Sequence, residues 1–198
     1  MTELFASEPW RFSDRTAEAV EAEAFETPQW AAEAILDVEL LTQRVLDPCC
    51  GHGTLAKVAL GRGYFCDAFD LHDWGYGETG IDFLIHPTRI DRPREISVFM
   101  NPPFSKAVAF VERALDLGVR KIVCFQRFAW WESRVRDLFW RRFPPNRIYV
   151  CASRADCWRF DIPLEKRKSG TPTAHAWFVW ERGHPPGPVL GRLLKGDR

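Results

Sequence analysis

Apolar residues along this chain gather into short runs separated by Gly, Pro and charged residues, and the runs alternate between two periods. Residues 45–47, 64–71, 96–100, 121–126, 147–152 and 174–180 are compact, rich in β-branched and aromatic side chains, and predict six strands. Between them, residues 28–36, 54–60, 105–117 and 130–143 space their apolar positions as a helix does. Thr27 and Pro28 suit an N-cap and a first helical position. Gly61, Gly63 and Gly118 suit helix ends, and Pro144-Pro145 stops the fourth helix. Strands alternating with helices across short loops predict an α/β fold, with a doubly wound, mainly parallel sheet in a single domain. In such a sheet ligands are expected beyond the carboxyl ends of the strands. Residues 1–24, acidic and Ala/Glu-rich, read as a lead-in with a helical turn or more. Residues 25–182 form the domain, interrupted by a charged loop at 165–173 long enough to be mobile. The Pro/Gly-rich stretch 183–198 reads as a fraying tail.

Composition supports a packed core, since 46% of the 198 residues are hydrophobic and nine are Trp. No run approaches the ~18 apolar residues of a membrane helix, and no secretory signal opens the chain, so a cytoplasmic protein without membrane association is expected. The six cysteines at 49, 50, 66, 124, 151 and 157 form no Cys-x-x-Cys, and no His pair has zinc spacing, so no metal site is expected. A net charge of zero conceals an asymmetry. The first hundred residues carry 18 Asp+Glu against 8 Lys+Arg, and the remainder 9 against 19. Between Arg120 and Arg159 ten basic residues face only Glu132, Asp137 and Asp156. That excess suits a polyanionic partner, or else the two halves neutralise each other across the fold.

Three loops that follow strands carry candidate chemistry. In Asp47-Pro48-Cys49-Cys50-Gly51-His52-Gly53, the glycines permit a tight turn and close approach of a ligand, with a helix start behind them. The stretch is neither a Gly-x-Gly-x-x-Gly dinucleotide turn nor a phosphate loop. Asp70 ends the second strand, where a carboxylate suits the two hydroxyls of a ribose. In Asn101-Pro102-Pro103-Phe104, two prolines end strand pairing and hold an amide and an aromatic face in a rigid loop. The Asn amide and a backbone carbonyl can accept hydrogen bonds from an amino group, and the ring can stack on a flat base.

Taken in order, Thr27-Pro28, Asp47-Pro48-x-x-Gly51-x-Gly53, Asp70, Asp82-Phe83-Leu84 and Asn101-Pro102-Pro103-Phe104 resemble the motifs of S-adenosylmethionine-dependent amino-methyltransferases. More narrowly, the chain resembles small phage- and prophage-type adenine-N6 DNA methyltransferases from about Phe25 to Gly183. The resemblance implies a Rossmann-like class I methyltransferase domain with S-adenosylmethionine as cofactor. It places Thr27 and Pro28 beside the methionine end, Asp47, Pro48, Gly51 and Gly53 around the amino-acid part, Asp70 on the ribose, and Asp82 and Phe83 at the adenine. Asn101 and the Pro102 carbonyl would hold the target amino nitrogen beside the methyl group, with Pro103 stiffening the loop and Phe104 stacking on the base.

Asn in place of Asp at the head of the proline motif also occurs in enzymes acting on guanine N2 of RNA and on protein glutamine amides. The readings are therefore adenine N6 of DNA first, then an RNA base or a protein amide, and from another class a catalytically idle nucleic-acid-binding subunit. For a nucleic-acid partner, DNA with RNA as the alternative, Arg127, Trp130, Trp131 and Arg134 interleave guanidinium and aromatic groups suited to phosphates and an unstacked base. Trp130, Val135, Leu138 and Phe139 would equally form an ordinary core stripe on a helix. His52 and His175 read as loop and strand residues rather than catalysts.

Overall fold

In a computed structural model, the structure describes residues 23–86, 91–167 and 173–196. The expected lead-in lies almost wholly outside them, as does the centre of the charged loop after Arg167. Seven strands form one sheet: β1 (Arg44–Asp47), β2 (Phe65–Ala68), β3 (Ile96–Met100), β4 (Lys121–Arg127), β5 (Arg147–Cys151), β6 (His175–Glu181) and β7 (Val189–Leu193), in the order β2-β1-β3-β4-β6-β5-β7. Only β6 runs against the others, between β4 and β5. Helices α1 (Gln29–Leu36) and α2 (Thr54–Gly61) cover one face, and α3 (Ala107–Asp116) covers the other. The strand order reverses between β1 and β3, which opens a crevice above their carboxyl ends.

Both faces are covered, so the central strands are apolar throughout instead of alternating. All of β3 is buried, with Val98 and Met100 in the cluster around Phe110 and Val111 of α3. Phe99 points the other way, into the cluster that holds Ala31, Ile35 and Leu55 of α1 and α2. No described helix is long and apolar enough to cross a membrane.

Four local expectations are corrected. The strand expected at 64–71 ends at Ala68, because Phe69 bridges to Glu78 and Asp70 turns the chain by accepting from the His72 N–H. Thr27 caps nothing: α1 starts after Pro28, and the Thr27 hydroxyl faces Asn101. The helix expected at 130–143 is broken into two 3₁₀ turns, Phe128–Trp130 and Arg134–Arg136, before α4 (Asp137–Arg142). A continuous helix would hold Trp130 and Trp140 about 15 Å apart along its axis. Packing both against Phe178 instead brings their ring centroids to 4.7 Å. Finally, the expected fraying tail contributes β7. Asn146 Nδ2 donates to the carbonyls of His184 and Pro185, the turn returns the chain to β5, and Leu193 is buried.

Candidate active site

The loop after β1 turns on Gly51 (φ 53°) and Gly53 (φ 80°), both in the left-handed region that costs glycine least. Gly53 leads directly into α2, and a β-carbon there would meet the Tyr76 ring. A β-carbon on Gly51 would lie 2.5 Å from the Phe160 ring, so the glycine is required by close approach as well as by φ. Beside this turn, Asp70 Oδ2 accepts from the Gly51 N–H at 3.0 Å and Oδ1 from the His72 N–H at 3.0 Å. Burial pushes the Asp70 carboxyl up, and those two backbone donors oppose the rise.

Asp47 is still more enclosed. Burial raises it to about 8, with Asp70 adding repulsion. Oδ1 accepts from the Cys49 N–H, while Oδ2 has no partner among the described residues.

β3 delivers Asn101 to the same place. Its Nδ2 donates to the Phe25 carbonyl at 3.1 Å and to Thr27 Oγ1 at 2.9 Å. With both amide hydrogens engaged, Oδ1 is the atom left to accept from a ligand. The Pro102 carbonyl already accepts from Nε2 of the buried Gln126 at 2.9 Å, which leaves it one further lone pair. Phe104 packs against Phe25 at 5.1 Å, and the Arg127 guanidinium lies 4.1 Å over its ring.

Most of these residues line a cleft with two lobes, whereas Gly53, Pro102 and Phe104 border neither lobe. The larger, of about 720 Å³, includes Pro48, Asp70, Asp82, Phe83, Asn101 and Pro103. The smaller, of about 290 Å³, includes Thr27, Asp47, His52 and Thr54. Gly51, Asn101, Phe25 and Phe160 border both. Asp82 Oδ1 accepts from the Leu84 N–H, and Phe83 is a buried wall residue 5.4 Å from Phe110. The acids bordering these lobes are Glu23, Glu26, Asp47, Asp70 and Asp82, with Lys106 the one lysine or arginine among the bordering residues, a balance that suits a cationic ligand.

Some expected residues lie elsewhere. Pro28 precedes α1, outside both lobes. Arg127 borders neither lobe, and its guanidinium lies over the Phe104 ring. Trp130, only 4% exposed, belongs to the core with Trp140 and Phe178, so its ring is not presented as a stacking platform, whereas Trp131 packs on Trp140 and stays partly exposed. Arg134 is exposed beyond them. His175 is buried against Phe125, and burial holds its imidazole near 4.

Three participants carried no local signal. Phe25, Gln126 and Phe160 look like ordinary apolar or strand residues, and only the pairing of Ala24 and Glu26 with Phe160 and Trp158 brings Phe160 over Gly51.

No known family profile matches the sequence, and no curated protein sequence is similar to it. Solved structures do resemble it. The methyltransferase subunit of a type I restriction-modification system from Streptococcus thermophilus superposes with a TM-score of 0.55 at 12% identity, over 81% of this chain and 45% of that one. The fold is the Rossmann-like methyltransferase fold. A predicted O-methyltransferase from Agrobacterium tumefaciens matches at TM-score 0.54 and 12% identity, over 85% and 86% of the two chains. The plantazolicin methyltransferase BamL, solved with SAH, matches at 0.51 and 10%, over 86% and 88%. The chain spans less than half of the restriction-modification subunit.

Proposed function

We propose that this protein transfers a methyl group from S-adenosylmethionine to an exocyclic amino group, with adenine N6 of DNA as the first substrate. The observation that carries the reading is the orientation of Asn101. Thr27 and the Phe25 carbonyl take both amide hydrogens, so Oδ1 stands as an acceptor where the two lobes of the cleft meet.

The cleft's residues fit the cofactor. The unpartnered Asp47 Oδ2 would accept from the ammonium of the methionine part, with the Gly51 turn beside it. Asp70 accepts from two backbone N–H groups and the Trp74 side chain, and its remaining lone-pair capacity would serve the ribose hydroxyls. Asp82 and Phe83 would border the adenine in the larger lobe. Bound there, S-adenosylmethionine supplies an electrophilic methyl on a sulfonium, which becomes a neutral thioether once the methyl has moved.

The chain's own work is positional and electrostatic. An exocyclic amine is a poor nucleophile because its lone pair is delocalised into the ring. Asn101 Oδ1, with the remaining lone pair of the Pro102 carbonyl, accepts from its N–H groups and favours the pyramidal form. The Pro102-Pro103 pair keeps these acceptors in place, and the amine's surplus proton leaves to solvent.

The test is transfer of labelled methyl groups to unmethylated DNA, bulk RNA and cell-extract protein, with products identified by mass spectrometry. N6-methyladenine in DNA is expected. Asn101→Ala is expected to lower turnover about 10²-fold or more while changing cofactor affinity less than about threefold. Label confined to RNA or protein would overturn the substrate. Cofactor binding without label in any pool would overturn the activity and favour the idle-subunit reading.

A further inference from the structure

Val135 and Leu138 are the most exposed large apolar residues described, at 94% and 82%. They lie three residues apart across the junction of the second 3₁₀ turn and α4, a spacing that puts two side chains on one face. Their base is rigid: Trp130, Phe139 and Trp140 on the same stretch are buried in the aromatic cluster. Four arginines share the same stretch, Arg142 with its guanidinium over the Phe143 ring. Arg134, Arg141 and Arg142 are exposed, Arg136 bonds back to the Trp130 carbonyl, and the nearby acids in sequence are Glu132 and Asp137, the latter paired with Arg141. The stretch leaves the carboxyl end of β4 directly after Arg127, whose guanidinium covers Phe104. An apolar pair on a rigid stem within a basic stretch is chemically complementary to stacked bases between two phosphate strands.

We propose that Val135 and Leu138 form a wedge that enters a nucleic-acid duplex between base steps, while Arg134, Arg141 and Arg142 hold the flanking phosphates. This rests on the amino-methyltransferase reading above, since a base paired in a duplex must leave the stack before its amino group can reach Asn101. The wedge supplies unstacking from a surface outside the cleft, in a chain that spans only part of its larger structural neighbour.

The experiment measures anisotropy with a short, labelled, mixed-sequence DNA duplex and with one of its strands alone, over a salt series. The double variant Val135→Ala, Leu138→Ala is expected to lose roughly tenfold or more in duplex affinity and less than about twofold for the single strand, with an unchanged salt slope. The double variant Arg134→Ala, Arg141→Ala is expected to weaken both probes and to reduce the salt slope by about 2. Equal duplex affinity in wild type and the apolar variant would overturn the wedge, as would equal losses on both probes. So would a wild type that binds no duplex. A dimer dissolved by the apolar substitutions, with duplex affinity intact, would assign the patch to a second copy and overturn the proposal.

Methyl transfer to the single strand separates the two readings. Transfer alongside unaltered duplex binding removes the wedge and keeps the activity. A selective loss of duplex binding without any transfer keeps the wedge and removes the activity.

Discussion

Asp47 and Asp70 stand at neighbouring strand ends, both buried, yet the fold treats them differently. Asp70 has two backbone donors, whereas Asp47 has a weak contact with the Cys49 N–H and an unpartnered Oδ2. Raised by burial to about 8, Asp47 favours the protonated form in the folded state, so the stability it contributes is present below its ordinary value of 3.8 and is lost as pH rises through about 8. His175 runs the opposite way, since burial lowers it from 6.5 to about 4 and its share is lost only as pH falls below 6.5. Above pH 6.5 Asp47 therefore acts without that opposition. The wild type is expected to lose about 1–2 kcal/mol between pH 6.5 and 8, and Asp47→Asn to lose clearly less, by urea unfolding at fixed ionic strength. A site residue that costs stability where it is charged is consistent with a role toward a cationic ligand.

The loop between β4 and β5 and the strand β7 show packing overriding local pattern at the scale of elements. Helical spacing in residues 130–143 is genuine, but five large rings, Trp130, Trp131, Phe139, Trp140 and Phe178, bury better when the segment folds back than when it runs straight. At the other end of the sheet, β7 gives β5 a second neighbour and places Leu193 in the core beneath α1, while Val189 and Leu190 stay exposed. Leu193→Ala is expected to cost about 2–4 kcal/mol in chemical denaturation, and Leu190→Ala less than about 0.5. Equal effects would mean that β7 is not docked as described.

Across the whole molecule, the two oppositely charged halves meet at the end of the sheet remote from the cleft. Glu39, near the end of α1, receives Lys121 at 2.8 Å, Arg147 and the Tyr149 hydroxyl at 2.8 Å, and Glu181 joins through Lys121 and Arg147. Part of the C-terminal basic excess is thus neutralised internally, while the cleft stays acidic and the surface around Val135 stays basic. Burial opposes ionisation of Glu39 and Glu181, but the Arg147 and Lys121 partners win and hold both below 4.5. Their stability is present above pH 4.5 and lost as pH falls through the lowered values. Glu39→Gln removes one carboxylate from the buried Lys121 and the part-buried Arg147, which keep Glu181, and is expected to cost about 1–3 kcal/mol at neutral pH, with a shallower acid-unfolding limb, by circular dichroism.

The alternation of strand and helix, the apolar strands and the Gly and Pro punctuation were legible in the chain because they express backbone geometry and burial on both faces of a sheet, which local residue types report. For the same reason β3 matched its expected bounds, and Asp47, Gly51, Asp70 and Asn101 could be singled out as strand-end residues. Contacts distant in sequence were not legible. That Thr27 takes an amide hydrogen of Asn101 rather than capping α1, that Gln126 occupies the Pro102 carbonyl, and that Phe160 lies on Gly51 depend on side chains from separate elements competing for one volume. The sequence alone determined six of the seven strands and the residues at the carboxyl ends of β1 and β3, while β7 emerged only from docking on β5. Tertiary packing decided which atoms of those residues remain available to a ligand, because hydrogen-bond partners and excluded volume exist only once the elements have docked.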